Sequence, residues 1–266
     1  MMRSRSAEAG LSLIELMIAI VLGIFISLMV VQYMVTSSKM FKQQGVDSNL
    51  EQNANFALSY LTQFIRQAGS RDGHGTEVPF FIGDCGNFSP CTSDADTSTG
   101  ANSDSDRIAV QMFLSSGTDC TGVPITGQVA NVFYIAREDP SSNVNSLFCR
   151  GFDVAGNDWL GTQGLALIDG IDQMQIIYGV ADANEQVFSY VAAGDVPPVS
   201  GSALRGWDQV RAVKVALLVS DGFETNSERS SDQSFQLFNA GVKTFLEDRV
   251  TRKVFSTSIN INSKVP

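Results

Sequence analysis

Three kinds of side chain in this sequence could do chemistry: one glutamate inside an apolar run, four cysteines, and a single histidine. Glu15 is the only charged residue between Leu11 and Val35, LSLIELMIAIVLGIFISLMVVQYMV, a run of 25 residues. A lone carboxylate in such a run costs roughly 3 kcal/mol or more in hydrocarbon unless it finds a partner. An acid placed there asks for a specific cation. Cys85, Cys91, Cys120 and Cys149 contain no CxxC spacing, and His74 stands eleven residues from the nearest of them, a poor set for zinc. His74 lies between Gly73 and Gly75 and reads most simply as a loop residue.

No G-x-S-x-G elbow, P-loop or GxGxxG cradle occurs, so the reading is of a protein without enzymatic activity or cofactor. The 266 residues hold 18 Lys plus Arg against 28 Asp plus Glu, a net charge of −10. That balance argues against general nucleic-acid binding, where phosphate neutralisation supplies the main attraction. A basic patch around Arg205, Arg211 and Lys214 is the one local exception considered. With 44% apolar and 17% charged residues, the chain has the composition of a folded protein and not of a disordered one.

The elements that must position these groups follow from periodicity. At 1.5 Å per residue the run Leu11–Val35 is about 37 Å long, enough to cross a hydrocarbon core of about 30 Å with some tilt. Arg3 and Arg5 precede it against one acid, Glu8, which holds the N-terminus in the cytoplasm despite Lys39 and Lys42 on the far side. The run exceeds a secretory h-region and no A-x-A-like site follows it, so an ordinary signal peptide is set aside. Beyond it Phe41, Val46, Leu50, Ala54, Ala57, Leu58, Leu61, Phe64, Ile65 and Ala68 recur at three- and four-residue spacing. That is the stripe of a helix laid on a core. No proline occurs before Pro79, so one helix is expected from Leu11 to Ala68, capped by Gly69 and weakest at Gly45.

Strand signals then take over. Val78–Ile82, Ile108–Leu114, Val129–Ala136, Ser146–Arg150, Met174–Val180, Val187–Ala192, Val210–Val219 and Lys253–Ile261 are rich in Val, Ile, Phe and Tyr. The expected architecture is α+β, one long helix packed on an antiparallel sheet. Trp207 and Tyr178 read as core aromatics, and Trp159 as packing a loop. Asp94–Asp106 reads as a solvated acidic loop, since it lacks the EF-hand glutamate.

The arrangement Gly10–Leu11-Ser12-Leu13-Ile14-Glu15-Leu16 resembles the type III signal of type IV prepilins and pseudopilins. The resemblance implies cleavage between Gly10 and Leu11 by a prepilin peptidase, methylation of the new amine, and pairing of Glu15 with the amine of a neighbouring subunit. It also implies a type IV pilin-like fold. The family usually begins its mature chain with Phe, where this sequence has Leu11. The phrases LIDGI (Leu167–Ile171), MQIIYG (Met174–Gly179), WDQV (Trp207–Val210), VKVALL (Val213–Leu218) and RKVFS (Arg252–Ser256) look like the PilW family of minor pilins, as does LEQNANFALSYLTQFIRQAG over Leu50–Gly69.

From these, four segments are expected: a cleaved leader over 1–10, the transmembrane half of the helix over 11–35, its amphipathic half over 36–69, and an extracytoplasmic β-rich head over 70–266. The implied role is priming and assembly of type IV pilus, hence adhesion and twitching motility. The implied partners are the prepilin peptidase, other minor pilins, the major pilin and a tip adhesin. The precursor would sit in the bacterial inner membrane and the assembled product in the extracellular pilus. The alternatives are a minor pseudopilin of a type II secretion system or a tip-located ligand-binding pilin. In the oxidising compartment so reached, four cysteines allow three connectivities. Favoured are Cys85–Cys91, closing the turn CGNFSPC, and Cys120–Cys149, tying two strand-flanking loops across the strand 129–136. The resemblance supports the second pair more than the first, and free buried thiols are the alternative.

Overall fold

The structure, a computed structural model, describes residues 12–72, 74–75, 78–94, 105–139, 141, 144–198, 206–221, 232–246 and 249–262. Its elements in chain order are helix α1 (Leu13–Arg66), strands β1 (Ser70–Arg71), β2 (His74–Gly75), β3 (Ile108–Thr118), β4 (Pro124–Ala136), β5 (Ser146–Asp153), β6 (Asp158–Trp159), β7 (Leu165–Asp169), β8 (Ile171–Ala181) and β9 (Val187–Val191), a 3-10 turn (Ala193–Asp195), then β10 (Val210–Ser220), β11 (Gln233–Phe235), β12 (Lys243–Phe245) and β13 (Arg252–Asn260). The chain divides into two compact units, Met1–Ser48 and Asn49–Pro266.

In the first unit every residue from Ser12 to Thr36 is exposed. The helix persists through Gly45 because its i to i−4 bonds need no side chain there, although a glycine costs about 1 kcal/mol against alanine.

In the second unit Leu50, Ala54, Ala57, Leu61 and Ile65 are fully buried at helical spacing. Beyond Arg66 the backbone turns through Gln67 and Ala68 to Gly69, whose φ of 72° is the left-handed conformation that glycine adopts without strain. The Gly69 N–H is handed to Gln111 O (2.8 Å) and so ties the helix end to β3.

The expected antiparallel strands are divided between two sheets and a hairpin. The first sheet runs β2-β1-β3-β4-β5-β6, with β7 also on β5; the second runs β13-β10-β8-β9; β11 and β12 pair with each other. One residue pair, Arg71 with Phe113, is parallel. In β4, Val129–Phe133 are all buried. Phe133 meets the rings of Tyr60 and Phe64 from α1 at 6.2 and 5.4 Å, while Ala130 and Val132 join Ala109, Phe152 and the Cys85–Cys91 loop on the opposite face. A strand covered on both faces loses the alternation of a half-exposed one. In β10, Val213, Val215, Leu217 and Val219 are buried, as are Ala216 and Leu218, which are covered by Leu237 and by Phe235, Phe238 and Phe245 of the β11–β12 region.

The chain changes sheet at Gly170, between β7 and β8. Its φ is 79°, and a Cβ there would strike the carbonyl oxygen of Ser220, whose N–H donates to Gly170 O at 2.7 Å.

The expected strand Val78–Ile82 is not one. Phe80 makes an isolated bridge to Val110, and Pro79 has no N–H for a ladder before the chain turns into the disulfide loop. His74 lies in β2 opposite Arg71 and not in a loop.

Phe80, Tyr178 and Trp207 form a buried aromatic triad with ring separations of 4.8 to 5.8 Å. The Tyr178 Oη has no hydrogen-bond partner among the described residues. Burial pushes its phenol well above the ordinary value of 10.0, and the Asp106 and Asp94 carboxylates push the same way. Because the phenol is held neutral in the fold but free to ionise when unfolded, stability is undiminished by it below about pH 10 and falls as pH rises from there toward the folded value. At pH 7 what is left is the cost of burying an unsatisfied hydroxyl. Tyr178→Phe is therefore expected to stabilise the protein by up to about 1 kcal/mol at pH 7 and to reduce its alkaline sensitivity. Urea unfolding at pH 7 and pH 11 measures both. A loss of more than about 1 kcal/mol at pH 7 would mean that the hydroxyl is satisfied.

Candidate functional site

Gly10 and Leu11 lie outside the described residues. Glu15 is described: it sits in the first turn of α1, and Ser12 O accepts from both Glu15 N (3.0 Å) and Leu16 N (3.1 Å). An acid at a helix N-terminus is favoured by the helix dipole. Around it Leu13, Ile14, Leu16 and Met17 are all more than half exposed. The helix is long and apolar enough to cross a membrane, with a mean hydropathy of 2.8 over an 18-residue window of which no residue is buried. From Leu13 to Val35 this helix is a bare apolar cylinder carrying a single carboxylate near its end. Such a surface can do two things: enter hydrocarbon, and bind a cation through Glu15.

The cysteines define the second feature. Cys85 is joined to Cys91 (Cα–Cα 5.6 Å) and Cys120 to Cys149 (Cα–Cα 6.3 Å). All four are buried. Cys149 lies inside β5, opposite Phe133, and not in a loop beside a strand, so the second bridge ties the β3–β4 turn directly to the sheet. Asp119 builds that turn. Its buried carboxylate accepts from Thr121 N and Val123 N, each at 2.8 Å, and Gly151 lies so close to Asp119 Oδ2 that any side chain there would collide. Asn131 Oδ1 accepts from Cys120 N (2.8 Å), and Tyr60 Oη of the helix donates to Cys120 O (2.9 Å). Burial raises the Tyr60 phenol above its ordinary value, with Asp119 adding to the effect.

The first bridge holds a loop against the far face of the same sheet. Phe88 at its tip meets Tyr134 and Trp159 at 5.2 and 5.8 Å. Arg107 lies over the Phe88 ring at 4.1 Å and donates to Cys91 O and Pro90 O; Arg150 lies over Trp159 at 4.7 Å and donates to Gly161 O. Sequence reasoning placed Trp159 against a loop but missed both arginines, because no local signal links Arg107 or Arg150 to an aromatic distant in the chain.

The remaining candidates are spread apart. Asp94 accepts from Ala193 N (2.9 Å) and Gly194 N (3.0 Å), and Asp106 accepts from Ile176 N (2.6 Å); residues 95–104 between them lie outside the described residues. Among the described residues no group of three or more His, Cys, Asp or Glu is placed to hold a metal ion. Of the considered basic patch, Arg205 lies outside the described residues, Arg211 pairs with Glu185 (3.4 Å), and Lys214 lies over Tyr190 at 4.0 Å.

Comparison with known proteins gives three findings. Residues 132–263 match the family model described as Type IV Pilus-assembly protein W. No curated protein matches the chain. Among solved structures, a type IV-like pilin from Thermus thermophilus is similar at 9% identity and a TM-score of 0.40, covering 80% of this chain and 96% of that one. Over residues 132–263, which begin inside β4 and end past β13, the chain is similar to the Type IV pilus-assembly protein W family.

Proposed function

We propose that this chain is a minor pilin, made as an inner-membrane precursor with its N-terminus in the cytoplasm, cut by a prepilin peptidase between Gly10 and Leu11, and then packed with other minor pilins and the major pilin to prime a type IV pilus. Adhesion and twitching motility follow from that role, which involves no catalysis by the chain itself. The observation that carries the reading is the exposed apolar helix with one acid, in a chain whose C-terminal half has the family's sequence. Cleavage creates a cationic amine at Leu11. Glu15 of one subunit pairs with the amine of a neighbour, which offsets the desolvation of both and sets axial register. Head-to-tail contacts of this kind do not close, so they generate a helical filament.

N-terminal sequencing of the protein isolated from cells tests the reading directly: the expected first residue is a methylated Leu11, and a chain still beginning at Met1 would overturn it. Glu15→Ala is expected to be processed normally yet to enter sheared surface filaments at least about tenfold less than wild type, the loss of one desolvated ion pair being far more than the 1.4 kcal/mol that a factor of ten requires. Undiminished incorporation would remove the pairing from the mechanism. Gly10→Leu is expected to leave only full-length precursor on a blot.

A further inference from the structure

Among the described residues strand β13 ends the second sheet and pairs only with β10. Two bonds just outside the paired strands fix which way its backbone faces: Ile261 N donates to Arg211 O (2.9 Å) and Asp221 N donates to Thr251 O (3.2 Å). Hydrogen-bonded pairs alternate along an antiparallel ladder, and the register from Ala212↔Asn260 to Ser220↔Arg252 runs without a shift. Lys253, Phe255, Thr257 and Ile259 therefore bond to β10. Val254, Ser256, Ser258 and Asn260 turn their N–H and C=O groups to the open side.

Folded proteins blunt such edges with charge, proline, bulges or brevity. From Val254 to Asn260 this strand has none of these. The opposite edge, β9, is only five residues long and carries a register shift. Beside Ser256 and Thr257 a groove of about 700 Å³ opens against the flank of α1, where Leu58, Ser59, Thr62 and Arg66 line it. The Ser59 and Thr62 hydroxyls donate back to Phe56 O (2.9 Å) and Leu58 O (2.6 Å) within the helix. Arg66 is the one charged residue in its lining among the described residues.

We infer that β13 receives an added strand: an extended segment of a different polypeptide lies in this groove, bonds to the outward backbone of Ser256 and Ser258, and sets a carboxylate against Arg66. Main-chain bonds to an open edge supply the affinity in this mode, and side chains flanking it supply the choice of partner. Charge argues against the β13 of a second copy. In that strand Arg252 is held by Asp172 and Lys253 by Glu51, and it contains no acid, so a second copy's β13 has no carboxylate to set against Arg66. Two chains of net charge −10 also repel. The docking edge stands on the fold alone; naming its donor as another filament subunit rests on the function proposed above.

The test uses the full chain in detergent micelles and a blocked, fluorescent peptide of about ten residues, alternating Thr and Val around one Glu, with a Lys-bearing peptide as its pair. The Glu peptide is expected to bind with a Kd of about 100 μM or tighter, and Ser256→Pro to weaken it at least about tenfold. Thermal melting should be unchanged, because proline is tolerated where the lost N–H faces away from the sheet; Ser258→Pro serves if Ser256→Pro disturbs the fold. Arg66→Glu should reverse the preference between the two peptides. No binding at about 1 mM, equal binding to folded proline variants, or an unreversed preference would each overturn the inference. A wild-type dimer in sedimentation that Ser256→Pro abolishes would overturn the choice of a different polypeptide. Should the Glu peptide bind as expected while the wild-type chain never enters surface filaments, the edge stands and the pilin reading fails.

Discussion

Replacing Cys120 and Cys149 together by alanine is expected to lower the stability of the second unit by about 3–4 kcal/mol, more than any other change in its loops. The bridge closes a segment with a sequence separation of 29, and removing it returns that closure entropy to the unfolded chain. The Cys85–Cys91 bridge, with a separation of 6, is expected to contribute about 2 kcal/mol on the same reasoning. The native surroundings sharpen the difference. Cys120 is held through its N–H by Asn131 and through its carbonyl by Tyr60, so loosening it frees a helix contact as well as a turn. Urea unfolding followed by tryptophan fluorescence, with oxidised and doubly substituted chains side by side, measures the two losses. If the shorter loop proved the costlier to open, closure entropy would not be the source of the stabilisation.

Asp172→Ala is expected to cost about 3–5 kcal/mol. Asp172 Oδ2 lies 2.8 Å from Arg252 Nε, and the two side chains are only 10% and 8% exposed. The pair joins β13 to β8, the strands on either side of β10, and the same guanidinium covers the Phe245 ring at 3.6 Å. Taking away the carboxylate removes a buried counter-charge from a buried cation. A large part of that penalty belongs to the desolvated guanidinium that has lost this carboxylate and not to the pair itself. Asp172→Leu combined with Arg252→Met should therefore recover most of the loss, coming within about 1 kcal/mol of wild type. A double variant no better than Asp172→Ala would mean that the ion pair itself, through its geometry, supplies the stability.

The helix was the most legible element. Its extent from Leu13 to Arg66, its buried stripe at Leu50, Ala54, Ala57, Leu61 and Ile65, and its stop at Gly69 were all readable, because helical period and glycine capping are written in neighbouring residues. The seven longer strand segments were also read in place, with ends that differ by up to five residues. The failures share a cause. Val78–Ile82 has strand composition but makes only the Phe80 bridge, while β7, β11 and β12 form from short segments that no period marks. A strand of three to five residues exists because a partner strand is already in place, and its own few residues are too short to carry a period that marks it.

The sequence alone determined that there is one long helix with an apolar first half and a lone acid, that an antiparallel α+β head follows, and that four cysteines share that head. These rest on local periodicity and composition, which each segment carries by itself. Only the tertiary structure decided that the strands part into two sheets at Gly170, that Cys149 stands opposite Phe133 with its bridge tying the β3–β4 turn to β5, that Arg107 and Arg150 cover Phe88 and Trp159, and that β13 presents Ser256 and Ser258 outward. Sheet membership, register and edge are properties of pairs of segments far apart in the chain, and the free energy that selects among pairings comes from burial that exists only once all of them have met.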